Sequence, residues 1–171
     1  MLKIVLAPDP ILKNVCEPLE QVDPQHKLLI KDMFQAMYEA NGVGLAAPQV
    51  GINKRIFVID PQAREEIQTP MAMINPKIIK ISNTLTTFEE GCLSFPNHYA
   101  ELERPEEITV EFLDENNKKQ ILVTKDFTSR VIQHELDHLN GILFVDHLSR
   151  LKRDVIIRKM KKYKKEIEQN E

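Results

Sequence analysis

The sequence predicts an α+β fold: short mixed and antiparallel β-sheets packed around a buried central helix, with one further helix towards each end of the chain. Three observations predict it. Apolar runs rich in Ile, Val and Phe are separated by Pro- and Asn-rich breaks, which reads as short strands joined by turns. A segment near the N-terminus has helical spacing between capping residues. A later segment, Asp126–Asn140, is apolar on more than one side, as a helix enclosed by the rest of a fold would be.

Taken along the chain, "LEQVDPQHKLLIKDMFQAMYEANG" is the first helix. Asp23 is suited to the N-cap, Pro24 to the first helical position and Gly42 to the left-handed position that closes a helix. Leu29, Met33 and Met37 share one face, expected in the core. The runs "KRIFVID", "MAMINPKIIKIS", "EEITVEFLD" and "KKQILVT" follow as strands, with "PNHY" and "DENNKK" among the breaks. The last two runs flank "ENN" and predict an antiparallel hairpin. On the central helix Val131, His134 and His138 share one side, Ile132, Leu136 and Leu139 another, and Gly141 ends it. The basic segment 148–171 is expected as a C-terminal helix with Leu151, Val155, Ile156 and Met160 on its apolar face.

A chain of 171 residues that is 42% hydrophobic suits a single catalytic domain spanning 1–171 with an ordinary core. Net charge is -3, but Arg150–Lys165 holds nine Lys/Arg against one acid, which leaves an acidic body with a basic tail. "MLKIVLAPDP" lacks the apolar run of a signal peptide, and no segment approaches a membrane span. Cys16 and Cys92 do not make a disulfide framework, so a cytoplasmic protein is expected. Nothing in the sequence demands more than a monomer.

Three segments carry possible chemistry. In "HELDH", His134 and His138 stand one helical turn apart and can hold one metal ion, with Glu135 placed to work on a bound water. Two protein ligands are one short of a catalytic site. The extended zincin motif would need a histidine where this chain has Phe144, and Asp146, Asp154 and His147 all have ordinary surface explanations. Cys92 in "EEGCLSFP" alone reads as a small apolar filler. Beside an incomplete two-histidine site it becomes the third ligand. The third segment, "NGVGLAAPQVG", matches a dinucleotide pattern formally but follows a helix where a strand is required. It reads equally as a plain turn between helix and strand or as a tight loop beside a cleft, with backbone groups open to an extended peptide and Gln49 offering an amide donor.

"GVGLAAPQ", "EGCLS" and "QHELDH", in this order, resemble the three motifs of the peptide deformylase family, and the similarity continues through "LAPDPILKNVCEPLE" and "ERPEEITVEFLDENN". The resemblance implies a hydrolase that removes the formyl group from N-formylmethionyl nascent polypeptides. It implies one divalent metal ion on Cys92, His134 and His138, with Fe²⁺ the usual ion and Zn²⁺, Ni²⁺ or Co²⁺ able to occupy the site. Glu135 would take the proton of an activated water and deliver it to the leaving amine, and Gln49 with the Leu93 N–H would face the oxyanion. Val43 and Gly44 would pair with the peptide backbone. Val43, Leu93 and Val131 would enclose the methionine side chain. Arg104 is a candidate peptide contact, and Glu90 and Asp137 are candidates for orienting the ligands. The basic C-terminal helix has two readings, a solvated helix face or, as in similar proteins, a surface that meets ribosomal RNA. Two rivals remain open on sequence: a zinc endopeptidase, which would not depend on Cys92, and a closed structural site, for which His98 is the remaining fourth ligand.

Overall fold

The computed structural model describes residues 1–171. Helix α1 spans Pro24–Glu39; strands β1 (Gly44–Ala46), β2 (Ile56–Ile59), β3 (Met71–Ile81), β4 (Leu85–Cys92), β5 (Phe95–Pro105), β6 (Glu107–Leu113) and β7 (Lys119–Lys125) follow, then helices α2 (Asp126–Leu139) and α3 (Arg150–Gln169). The strands form a five-stranded sheet in the order β1-β2-β3-β6-β7 and a separate two-stranded sheet, β4-β5. Every strand pair is antiparallel, so the mixed sheets expected reduce to one isolated parallel bridge, Glu17 to Lys54.

Helix α1 starts as expected. The Asp23 carboxylate accepts the His26 N–H at 2.9 Å and Pro24 occupies the first turn. Its end differs. Asn41, not Gly42, takes the left-handed conformation, with φ 57°. The Asn41 N–H then donates to Tyr38 at 3.0 Å and the Gly42 N–H to Met37 at 2.9 Å, satisfying two terminal carbonyls. Asn tolerates positive φ, while Gly42 lies against Leu93: a Cβ there would stand 2.6 Å from the end of that side chain, which would have to shift. Gly141, with φ 72°, closes α2 as expected.

The edge β1-β2-β3 of the large sheet is covered on both faces. Ile30, Met33, Ala36 and Met37 of α1 pack on one, against Leu45, Val58 and Ile74; Val131, Ile132, Leu136 and Leu139 of α2 pack on the other, against Phe57, Ile59, Met73 and Val110. This explains why "IFVI" is an unbroken apolar run: a strand buried on both faces shows no alternation. Each such side chain contributes ~1.5–3 kcal/mol by leaving water, enough to hold α2 in place although most of its other residues are polar. Ten residues of α2 are buried, among them Arg130, Gln133, His134, Glu135 and His138.

The two-stranded sheet has no local signal in the sequence. All of Leu85–Glu89 is exposed, so β4 has no alternating pattern. β5 opens with Pro96 and a left-handed Asn97, both ordinary turn residues. The sheet matters because β4 ends on Cys92. A third cluster, including Phe95, Leu102, Phe144 and Met160, seats β5 against the Phe144–His147 turn and α3. In α3 only Met160 is fully buried, and Leu151, expected on the apolar face, is 76% exposed. Asp146 anchors the helix by accepting from Arg153 at 3.0 Å and from Lys13.

Candidate metal centre

Helix α2 and the end of β4 bring three ligand types together. Cys92 Sγ and one nitrogen each of His134 and His138 lie within 4.8 Å of one another. His138 Nε2 is 3.3 Å from the sulfur. The imidazoles stand edge to face, 5.1 Å between centroids, as helical spacing of four dictates. Cys92 reaches them because the β4-β5 register shifts between Gly91 and Cys92.

Each ligand is held from behind. Glu90 Oε1 lies 3.1 Å from His134 Nδ1, which leaves Nε2 of that ring for a cation. Arg104 grips the same carboxylate through Nε at 2.6 Å and Nη2 at 2.9 Å, and its Nη1 reaches Asp137 at 3.0 Å. These partners hold the Glu90 carboxyl far below the usual carboxylate range despite a burial penalty. Burial by itself would lower the His134 value, but contact with Cys92 and Glu90 holds it well above normal; burial and the neighbouring His134 push His138 well below. The donor set fits a divalent ion of intermediate softness: one thiolate, two imidazoles and no fourth protein donor in the group.

Glu135 faces the same spot. It is 4% exposed, and burial pushes its carboxyl up to about 7. Only two buried side-chain polar atoms in the chain lack a protein partner: Glu135 Oε2 and His138 Nδ1. A Cβ at Gly44 would sit 2.6 Å from Glu135 Oε1 and would displace this carboxylate. Gln49 is fixed by the Ala46 N–H at 2.9 Å to its Oε1, so its Nε2 points to Ser94 Oγ at 3.1 Å and Cys92 Sγ at 3.4 Å.

These groups open into a cavity of about 570 Å³ whose lining includes Val43, Gly44, Gln49, Leu93, Val131 and Glu135. Arg104, expected as a peptide contact, does not line the cavity and is committed to Glu90 and Asp137; His138 and Asp137 also lie outside the lining. His98 is not in the ligand group. No local sequence signal points to Arg130, which joins Arg104 on Glu90, or to Ser94, which receives the Gln49 amide. The alternation of "AELER", with Leu102 and Arg104 buried between exposed Glu101 and Glu103, is the signal that would have placed Arg104 inward.

The family model for polypeptide deformylase matches residues 1–154. This chain belongs to the peptide deformylase family. A peptide deformylase of Agrobacterium fabrum is 46% identical over 93% of this chain and 94% of its own length, and one of Pelagibacter ubique is 46% identical over 94% of each. The crystal structure of the Ehrlichia chaffeensis peptide deformylase superposes with a TM-score of 0.91 at 40% identity, covering 96% of this chain and 97% of that one. A structure of the same enzyme in complex with actinonin has a TM-score of 0.91 at 41% identity, covering 95% of this chain and 97% of that one. Peptide deformylases are metal-dependent hydrolases, and the cluster of Cys92, His134 and His138 is where this member of the family can hold an ion.

Proposed function

We propose that the chain removes the formyl group from N-formylmethionyl nascent peptides, with Cys92, His134 and His138 as metal ligands and Glu135 as general base and acid. The observation that carries this reading is the convergence of a thiol and two imidazoles, with Glu135 and its orphaned carboxylate oxygen lining the same cleft as Cys92 and His134. When bound, a divalent ion supplies positive charge that acidifies water and polarises a carbonyl. The native ion is Fe²⁺, and Zn²⁺, Ni²⁺ or Co²⁺ can replace it; elemental analysis after anaerobic purification tests this.

The chain's own residues do the rest. Glu135 Oε2, free of protein partners, accepts a proton from water and returns it to the leaving amine. Gln49 Nε2 and the Leu93 N–H stabilise the oxyanion. β1 is an edge strand, so Val43 and Gly44 can pair with an extended peptide, while Val43, Leu93 and Val131 supply apolar wall for methionine. Arg104 acts from behind through Glu90, without touching peptide. Gln49→Ala is expected to lower kcat ~10²–10³-fold with the fold intact, as losing one preorganised donor does; steady-state kinetics on a formyl-Met tripeptide measures it. The overall test compares formate release from formyl-Met peptides with cleavage of unformylated ones. Internal cleavage without formate release would favour an endopeptidase.

The chain works as one catalytic domain over 1–171, monomeric and cytoplasmic; no helix is long and apolar enough to cross a membrane. The basic helix within 148–171 binds ribosomal RNA, supported by exposed Lys159, Lys161, Lys162 and Lys165. Ribosome affinity is expected to fall steeply with salt and to be lost on truncation after Leu148, measured by co-sedimentation. Equal binding by a folded truncated chain would end this part of the proposal.

A further inference from the structure

Arg130 is a buried cation that the reaction proposed above leaves without a task. It sits one turn before His134 on α2 and is 6% exposed. Its Nη1 donates to Glu90 Oε2 at 2.7 Å and to the Leu102 carbonyl at 3.1 Å. Its Nη2 donates to the Thr86 carbonyl at 2.6 Å and to Thr86 Oγ1 at 3.3 Å. Phe88 lies against the guanidinium, 5.7 Å from ring centroid to carbon. Every acceptor belongs to the β4-β5 hairpin, the element that delivers Cys92.

Glu90 is fully subscribed. Oε1 faces Arg104 Nη2 at 2.9 Å and His134 Nδ1 at 3.1 Å, while Oε2 accepts from Arg104 Nε at 2.6 Å and Arg130 Nη1 at 2.7 Å. Two partners on each oxygen leave the carboxylate one orientation. The two arginines are not equivalent. Arg104 lies on β5, so its grip on Glu90 stays within the hairpin, and its one tie to α2 ends on Asp137, a side chain 20% exposed. Arg130 is carried by α2, with both imidazoles, and its fork is buried in the hairpin. The metal ligands come from these two elements, so whatever fixes one against the other fixes the distance from thiol to imidazoles.

We infer that Arg130 is a positioning residue for the metal centre. It orients Glu90 so that His134 presents Nε2, and it locks α2 to the hairpin so that Cys92 meets both rings. The inference rests on the reading of Cys92, His134 and His138 as metal ligands.

The test uses full-length wild type, Arg130→Met and Arg130→Lys. Zn²⁺ affinity is measured by competition with a chromophoric chelator, the Co²⁺ visible spectrum reports ligand geometry, and formate release gives kcat and KM. Arg130→Met is expected to bind Zn²⁺ about 10–100-fold more weakly, the usual effect of losing a partner behind a ligand, with an altered Co²⁺ spectrum and a lower kcat. Arg130→Lys keeps the charge without the fork and is expected to fall between the two. If Arg130→Met does not fold, Arg130→Lys decides: a partial loss of affinity supports the inference. A folded variant with wild-type Zn²⁺ affinity and Co²⁺ spectrum overturns it, as does a rise in KM alone, which would give Arg130 to the peptide pocket. Wild type that binds neither ion would overturn the ligand reading itself, an outcome visible before any variant is compared.

Discussion

Glu135→Gln is expected to lower kcat for formyl-Met peptides by ~10²–10⁴-fold, the usual range for removing a positioned acid–base group, while the ion and the fold are retained. The substitution changes little in shape, so the close approach of Gly44 to Oε1 survives. It removes the one group on the cleft floor with an unpartnered oxygen able to take a proton. KM should move little, because no part of the peptide-binding wall changes. Turnover, metal content and circular dichroism on one preparation check this. Wild-type turnover in a metal-loaded Glu135→Gln protein would remove Glu135 from the chemistry.

Cys92→Ala is expected to abolish activity by a different route, through the metal. The chain should fold, since Cys92 is only half-buried at a strand end and the cores under α1 and α2 do not include it. Zn²⁺ affinity should drop by more than about 100-fold, because even partners behind a ligand are worth 10–100-fold and this substitution deletes a ligand outright. Competition with a chromophoric chelator measures it. Undiminished metal binding and peptide cleavage would fit an endopeptidase centred on the histidines alone.

The parts of the site legible in the sequence are those encoded by local spacing. His134 and His138 on one helical face follow from 3.6 residues per turn, and Glu135 between them follows with it. Cys92 was reachable by elimination, since two histidines lack a partner. What was not legible depends on contacts distant in sequence. Nothing near Arg130 says that its guanidinium ends on Glu90, forty positions earlier. The inward turn of Arg104 is written in the alternation of "AELER", but its partners Glu90 and Asp137 are not. The hairpin itself escaped because β4 is exposed along most of its length and β5 begins with turn residues. At α1 the local rule pointed to Gly42 for the left-handed position, but Asn41 takes it, and Gly42 lies one position beyond, against the Leu93 side chain.

X-ray absorption at the metal K edge, on anaerobically purified protein, tests the central claim most directly. The expected shell is one sulfur and two imidazole nitrogens, completed by a light atom from solvent or substrate. A shell without sulfur, or one closed by a fourth protein side chain, would contradict it.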